Sequence, residues 1–236
     1  MNPRHEPSVL GVFAHPDDES LFAGGFLARA ASRGARTGVV TTTWSRATAR
    51  GDDLALALAH LGAGEPRFLG YADARVPESA PGAVRLLDAP LDEAVGRLVA
   101  IIRKFRPDVV VTHDSDGNAT GHPDHIQTHR ITTLAVETSR LEHPPEVMLA
   151  THPVSMAPLL GELLGARRAL FTSPDAVITE TIDVSPWLNL KVAAILAHAS
   201  EVTRGAAPGL INALSPSDRV KLLSTEWYIH SGAHRN

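Results

Sequence analysis

Two short polar segments, each placed after an apolar run, constrain the fold of this chain more than any other feature. Residues 15–19 (HPDDE) follow the apolar residues 8–14, and residues 121–125 (GHPDH) follow the apolar run 108–112 after a polar loop. Short apolar runs of this kind are typical of buried strands in a parallel sheet. Because the carboxyl ends of parallel strands lie at one edge of the sheet, we expect both segments to contribute to one site.

Strand-like runs alternate with segments of helical spacing along most of the chain, and this order predicts an α/β fold with a mostly parallel sheet. The 236 residues are 44% apolar and contain no linker-like stretch, so we expect a single domain over residues 1–236. The alternating run 176–184 is predicted to lie at an edge of the sheet. The predicted strands are 8–14, 38–43, 66–71, 108–112, 147–151 and 176–184. The predicted helices are 20–30, 50–61, 91–105, 126–141, 158–170, 188–201 and 217–229.

The composition of the chain limits the kinds of molecule that we expect it to bind. The formal net charge is −4 and there is no long basic run, so we expect a small molecule as partner rather than nucleic acid or an anionic membrane. Cysteine is absent, which leaves histidine, aspartate and glutamate as metal ligands. Residues 1–7 lack the apolar core of a signal peptide, and no apolar run reaches the ~20 residues that cross a bilayer. We therefore expect a cytoplasmic protein with no membrane span.

Two imidazoles and one carboxylate, from His15, Asp18 and His125, form a ligand set typical of a catalytic divalent metal. Zn²⁺ is the expected ion, and the same set is compatible with Fe²⁺ or another divalent ion. A single motif of this type is as readily an exposed turn whose aspartate caps a helix. The occurrence of two such motifs after two strands favours the metal site.

The other polar residues of the two segments have the chemistry that amide hydrolysis requires. Asp17 is adjacent to Asp18 and so points elsewhere, which makes it the candidate general base for a metal-activated water. His122 is predicted to stabilise the developing oxyanion or to protonate the leaving amine. Asp124 is predicted to set the charge state of His122. The predicted catalytic residues are therefore Asp17, His122 and Asp124.

The two segments resemble the motifs of the PIG-L/LmbE-like family of zinc-dependent N-deacetylases. The similarity extends over most of the chain, and it includes residues 50–62, 68–73 (FLGYAD), 106–112 (RPDVVVT) and the late positions Lys191, Ala194, His198 and Ser200. The resemblance implies a Rossmann-like α/β fold with helices on both faces of the sheet. It also implies hydrolysis of the acetamide of an N-acetylglucosaminyl group, as in mycothiol or bacillithiol biosynthesis and glycolipid-anchor assembly.

Residue roles carried over by position agree with those given above. The resemblance implies that His15, Asp18 and His125 bind zinc, that Asp17 is the base and that His122 stabilises the oxyanion. It further implies that Arg50 and Asp73 hold sugar hydroxyls or an anionic group attached to the sugar. The implied partner is therefore an N-acetylated amino sugar or a glycoconjugate.

Two departures from the family pattern bear on the substrate. Residues 43–46 (TWSR) stand where family members often have Thr-x-Gly-Glu. Thr120 stands where mycothiol-pathway enzymes have a tyrosine. Neither change touches the predicted metal ligands, so we expect the chemistry to be kept, and the departures bear on recognition of the acceptor attached to the sugar.

Several histidines and aromatic residues have ordinary structural interpretations. His129 is predicted to lie on a helix surface, and His198 is predicted to be packed rather than catalytic. His113, beside a strand end, is open between lining the pocket and packing beneath it. Trp227 and Tyr228 are expected to pack in the core or in an interface rather than to stack on a sugar.

Three other functions are compatible with parts of the pattern. A related zinc amidase that cleaves a larger acyl or thiol-conjugate amide would use the same metal and base with a longer acyl pocket. A non-catalytic binding module is disfavoured because both Asp17 and His122 are present. An Fe²⁺ oxygenase would use the same ligands, but usually on a β-barrel. The pattern does not set the oligomeric state, and a homo-oligomer stays open.

Overall fold

A seven-stranded sheet lies at the centre of the protein, seen here in a computed structural model that describes residues 6–165 and 170–231. Its strands are β1 (Val9–Phe13), β2 (Thr37–Thr43), β3 (Arg67–Tyr71), β4 (Val109–His113), β5 (Glu146–Thr151), β6 (Glu180–Asp183) and β7 (Thr225–His230). Its helices are α1 (Asp18–Ser32), α2 (Ala49–Leu61), α3 (Leu91–Phe105), α4 (Pro123–Ser139), α5 (Ala157–Leu164), α6 (Leu188–Ala197), α7 (Ala199–Arg204), α8 (Ala207–Ala213) and α9 (Pro216–Leu223). None of the helices described is both long enough and apolar enough to cross a bilayer.

The strands lie in the order β3-β2-β1-β4-β5-β7-β6. The first five strands along the chain pair in parallel, whereas β7 runs antiparallel to both β5 and β6. The strand order reverses between β1 and β4, which is where open α/β sheets bind their ligands. Val12 lies opposite Thr112 in this pair, so the segments after both strands leave the sheet side by side. The predicted mostly parallel α/β sheet is confirmed.

Alternate residues of the buried strands supply two hydrophobic cores, one on each face of the sheet. Leu10 and Val12 of β1 pack with residues of α3 and α4. Val9 and Phe13 point to the opposite face and pack with residues of α1, α2 and α6. Helices therefore cover both faces, as the resemblance to the family implies. The loops at the carboxyl ends of β1 and β4 are therefore attached to strands that are packed on both faces.

The end of the chain differs from its prediction. The predicted helix over 217–229 is wrong beyond Leu223, because residues 225–230 form β7 between β5 and β6. This run contains residues such as Trp227 and Ile229, whose aromatic and β-branched side chains favour strands. The backbone of β7 is hydrogen-bonded on both sides, to β5 and to β6. Tertiary context therefore decides the structure of this segment.

Smaller differences concern the boundaries of elements. The predicted helix 188–201 is interrupted at His198 and forms α6 and α7, and α8 lies in a predicted loop. The predicted strand 176–184 is shorter, since β6 covers four residues, but it does lie at the sheet edge. Of the predicted helix 158–170, residues 166–169 lie outside the described part of the chain.

Close packing of α1 leaves no space for a side chain at Gly25. A Cβ atom on Gly25 would lie 2.4 Å from the Cβ atom of Val184, which is far inside contact distance. The backbone N–H groups of Gly25 and Phe26 donate to the Glu226 carboxylate, each at 2.8 Å. These contacts attach α1, whose first turn carries site residues, to the C-terminal part of the sheet.

We expect Gly25→Ala to lower the free energy of unfolding by about 1–3 kcal/mol, because the helix or Val184 must shift to admit the methyl group. Gly96→Ala is the matched control: Gly96 is exposed on α3, and a Cβ atom there would meet nothing within 4 Å. Removing a helical glycine at such a position stabilises by up to ~1 kcal/mol. Urea unfolding measures both variants. Equal stability of the two would contradict the close packing of α1.

Candidate metal centre and active site

Three donor atoms form a nearly equilateral triangle at the carboxyl ends of β1 and β4. His15 Nδ1 is 3.3 Å from Asp18 Oδ2 and 3.2 Å from His125 Nε2, and the latter two atoms are 3.3 Å apart. All three side chains are buried. A tetrahedral zinc site with bonds of about 2.0–2.1 Å separates its ligand atoms by about 3.3 Å. The residues brought together here therefore fit a divalent metal ion such as zinc.

Hydrogen bonds on the far side of each imidazole direct the other ring nitrogen into this triangle. His125 Nδ1 donates to the carbonyl oxygen of Gly117 at 3.1 Å, which leaves Nε2 as a lone-pair donor. His15 Nε2 lies 3.1 Å from Asp73 Oδ2 and 3.2 Å from Asp124 Oδ2, which leaves Nδ1 facing the triangle. Such carboxylate–histidine contacts orient metal-binding imidazoles and raise their basicity.

The charge around His15 also favours a bound cation. Burial alone would lower the pKa of His15, but the carboxylates of Asp124, Asp18 and Asp73 raise this pKa well above its usual value. Burial alone would raise the pKa of Asp18, but the imidazoles of His125, His113 and His15 hold it well below its usual range. The carboxylate oxygen Oδ1 of Asp124 is buried without a partner among the described residues. The centre therefore carries an excess of negative charge that a metal ion would balance.

Asp17 lies beside the triangle in an unusual backbone conformation, with φ 125°. Its N–H donates to Glu19 Oε2 at 3.0 Å, and its Oδ1 accepts from the guanidinium of Arg50 at 3.0 Å. Burial raises the pKa of Asp17 to about 6, although the positive charge of Arg50 opposes this shift. The side chain lines the cavity above the centre. A carboxylate with a pKa near neutrality suits proton transfer.

Glu19 connects Asp17 to the C-terminal part of the chain. Its Oε1 lies 2.9 Å from His198 Nε2, and both side chains are completely buried. Burial alone would raise the pKa of Glu19, but the charge of His198 lowers it. His198 is packed, as predicted, yet it also contacts a residue of the first segment. This ion pair across 179 residues could not be found from the sequence, because nothing local pairs the two side chains.

His122 is the N-cap residue of α4, and its ring faces the cavity. Its Nδ1 accepts the backbone N–H of Asp124 at 3.2 Å, so the neutral ring carries its proton on Nε2. The ring packs edge-on against His15 with the centroids 4.6 Å apart. Burial, followed by the charges of His15 and His125, lowers the pKa of His122 to about 4. The arrangement therefore presents a neutral N–H donor.

The structure places Asp124 and Asp73 differently from the roles suggested by sequence. Asp124 Oδ2 is 3.8 Å from His122 Nδ1, beyond hydrogen-bond distance, but only 3.2 Å from His15 Nε2. Asp73 lines the cavity, as expected of a sugar-binding residue, but its Oδ2 contacts His15 and its Oδ1 accepts the N–H groups of Arg75 and Val76. Both aspartates therefore support His15.

Arg50 also lines the cavity and is held on several sides. Besides Asp17 it contacts Glu201, with Nη1 3.4 Å from Oε1, and its guanidinium lies 4.3 Å from the ring centre of Trp44. Trp44 belongs to the segment that departs from the family pattern, and here it covers the cation. The departure from the family pattern at residues 43–46 therefore changes what surrounds Arg50 and does not change the donor triangle.

His113, which the sequence leaves open, and His129, which is predicted to lie on a helix surface and is half-buried, lie behind the centre. His113 is completely buried, accepts the N–H of Ala14 at Nε2 (2.9 Å) and stacks on His125 with the ring centres 4.0 Å apart. Burial, together with the charge of His125, lowers the pKa of His113 to about 4. His129 Nδ1 donates to the carbonyl oxygen of His113 at 2.9 Å. His113 therefore packs under His125 and does not line the cavity.

A cavity of about 300 Å³ opens above the centre. Sequence reasoning missed several polar and aromatic residues of its wall, because they come from the C-terminal third of the chain, whose course the sequence did not reveal. Trp227, which was expected to pack, is among them. These residues are Lys191, Glu201, Arg204, Glu226 and Trp227.

Comparison with known proteins relates this site to a family. A family model described as "PIG-L: GlcNAc-PI de-N-acetylase" matches residues 10–136, which include both polar segments. The 1D-myo-inositol 2-acetamido-2-deoxy-alpha-D-glucopyranoside deacetylase of Mycobacterium sp. (strain KMS) is 35% identical, with 94% of this chain and 83% of that protein covered.

Solved structures show the same fold at lower identity. A conserved protein of Thermus thermophilus has 24% identity and a TM-score of 0.65, with 95% of this chain and 94% of that chain covered. The N,N'-diacetylchitobiose deacetylase of Pyrococcus horikoshii has 19% identity and a TM-score of 0.64, with 95% and 84% covered. The Rossmann-like fold expected from sequence is thus confirmed.

We expect His125→Ala to remove most of the bound metal, because it deletes one corner of the donor triangle. His129→Ala is the matched control, since His129 lies one turn later on α4 and its Nδ1 donates to the backbone carbonyl of His113. Metal content per chain, measured by inductively coupled plasma mass spectrometry, should fall to a small fraction in the first variant and stay at about one ion in the second. Full metal content in His125→Ala would show that the ligand set is different.

Proposed function

The chain belongs to the PIG-L family of de-N-acetylases, and on this premise we propose that it is a zinc-dependent hydrolase of N-acetylglucosaminyl compounds. The triangle of His15, Asp18 and His125 beside Asp17 is the observation that carries the proposal. The similarity to deacetylases of a glucosaminyl-inositol compound supports the substrate class. The donor set of two imidazoles and one carboxylate supports zinc as the metal.

Hydrolysis of the amide requires that a proton of the attacking water be transferred to the nitrogen of the leaving amine. His15, Asp18 and His125 would hold zinc, which would supply a Lewis acid for the amide carbonyl and for water. Asp17 accepts the proton of the attacking water as its oxygen bonds to the carbonyl carbon. Asp17 then delivers this proton to the nitrogen as the C–N bond breaks. Acetic acid and the free amine are the products, and near pH 7 the acid releases its proton to the amine or to the solvent.

The surroundings of Asp17 support this role. Arg50 orients one carboxylate oxygen, and Glu19 holds the backbone N–H, so the carboxylate keeps one direction. Its pKa of about 6 makes it both ionised near pH 7 and basic enough to take a proton. Arg50 and Asp73 lie on the wall of the same cavity, which supports their contact with the sugar in addition to their contacts with Asp17 and His15.

His122 stabilises the oxyanion as a neutral donor. Its Nδ1 is occupied by the N–H of Asp124, so the Nε2–H group is the one available to the cavity. A donor aimed at the developing negative charge is typically worth about 10²–10³-fold in rate. A protonated His122 would lie beside His15 and His125, whose positive charges disfavour it. A second role of His122 as an acid is therefore disfavoured.

We expect the zinc-loaded protein to release acetate from N-acetylglucosaminyl compounds, N-acetylglucosaminyl-inositol among them, in an enzyme-coupled acetate assay. Asp17→Asn should keep its zinc and lose about 10²–10⁴-fold in kcat, since the general base is removed while the ligands remain. Asp52→Asn, on the exposed side of α2, is the control and should match the wild type. Wild-type turnover by Asp17→Asn would reject Asp17 as the base, and no acetate release by the wild type would reject the activity.

The tautomer of His122 makes a separate prediction. His122→Ala should lose about 10²–10³-fold in kcat because the oxyanion loses a donor. His122→Gln retains an N–H donor and should lose less, with zinc content unchanged in both variants. If the residue worked instead as a cationic acid, glutamine would be as poor a replacement as alanine, so equal loss in the two variants would contradict the donor role.

A further inference from the structure

The residues that line the cavity are of two kinds. The polar wall includes Arg50, which contacts Asp17, and Asp73, which contacts His15. The apolar wall includes Leu21 and Phe22, one turn after Asp18 on α1. A substrate amide at the centre would therefore have both polar and apolar side chains available within one cavity.

The apolar wall extends to residues of a hydrophobic cluster that also line the cavity. The residues of this cluster that line the cavity belong to α5, α8 and α9 and are only 2–5% exposed. Leu21 packs against this cluster, and the Phe22 ring lies edge-on to His125 with the centroids 6.1 Å apart. The apolar surface is thus continuous from the metal ligands into the cluster. The cluster residues on the cavity wall are Leu160, Ile211, Leu222 and Leu223.

Polar groups on this side are neutral or paired. Lys191 Nζ bonds Glu226 Oε1 at 2.7 Å, and the Glu226 carboxylate also accepts from Tyr228 and from two backbone N–H groups of α1. Burial, followed by the charge of Lys191, lowers the pKa of His152 to about 4, so this ring is uncharged near pH 7. A carbon chain that enters this part of the cavity would therefore remove little water from charged groups.

We infer that this lobe, lined by Leu21, Phe22 and the cluster residues, binds the acyl group, and that the enzyme hydrolyses N-acyl amino sugars with chains longer than acetyl. The inference rests on the proposed function, because it needs the sugar on the polar wall and the amide at the centre. A two-carbon acetyl group would fill only the part beside Phe22. The cluster residues beyond it offer apolar contact to further methylene groups.

Each methylene buried in the lobe should raise kcat/KM by about fourfold until the lobe is filled, which corresponds to full burial of one CH₂ group. The substrates are N-acetyl-, N-butyryl- and N-hexanoylglucosamine, with the zinc-loaded full chain and a fluorescent assay for the free amine. Wild-type kcat/KM should increase from acetyl to butyryl.

Ile211→Trp would occupy the lobe and should abolish the gain from longer chains while acetyl hydrolysis continues. Leu210→Trp is the matched control, because Leu210 is the neighbouring residue of α8 but is 41% exposed and does not line the cavity. Thermal unfolding verifies that each variant folds. Leu160→Trp, on α5, provides a second occluding variant from a different helix.

Binding of the carboxylate products gives a readout that does not depend on turnover. Calorimetric titration of the wild type with acetate, butyrate and hexanoate should show affinity rising with chain length, and Ile211→Trp should remove this trend. Wild-type enzyme that hydrolyses the acetyl substrate, but loses activity with each added methylene, would overturn the inference and leave the proposed function intact. No amine release from any of the three substrates would reject the proposed function, and the inference with it.

Discussion

The parallel pairing of β1 with β4 is the contact on which the rest of the site depends. It places the ends of two strands side by side, and the segments that leave them carry donor atoms 110 residues apart in the chain. Helical layers pack on both faces of these strands, so the backbone that presents His15 and His125 is rigid. The donor triangle is therefore held by packed elements on both sides, which lowers the cost of ordering ligands around a metal ion.

A second set of contacts fixes the proposed base. Asp17 has a positive φ, a conformation that costs a non-glycine residue about 1–3 kcal/mol and persists only where neighbours enforce it. Glu19 enforces it by accepting the N–H of Asp17, and His198 in turn holds Glu19. Arg50, from α2, completes the arrangement. The strained turn at the end of β1 thus depends on residues from distant parts of the chain.

The sequence predicted what is local and missed what is long-range. The prediction of His15, Asp18 and His125 as ligands rests on apolar runs that can be read as strands from the sequence. His15 and Asp18 follow shortly after β1, His125 follows β4 after a polar loop, and the strand order brings the three side chains together. The contact of Asp124 with His15 rather than with His122 could not be predicted from the sequence, since it depends on ring orientations set by the backbone of α4. The sequence predicts a helix where β7 forms, because the partners β5 and β6 lie far away in the chain, and the apolar lobe cannot be predicted for the same reason.

The most direct test of the metal centre is a crystal of the zinc-loaded protein measured at the zinc absorption edge. The account predicts one anomalous peak within about 2.0–2.2 Å of His15 Nδ1, Asp18 Oδ2 and His125 Nε2. Three neighbouring groups of side chains offer an ion other positions. One adds His122 to His15 and His125, one includes Asp73 and Asp124, and one includes His113. A peak in any of those positions, with the triangle of His15, Asp18 and His125 empty, would contradict it.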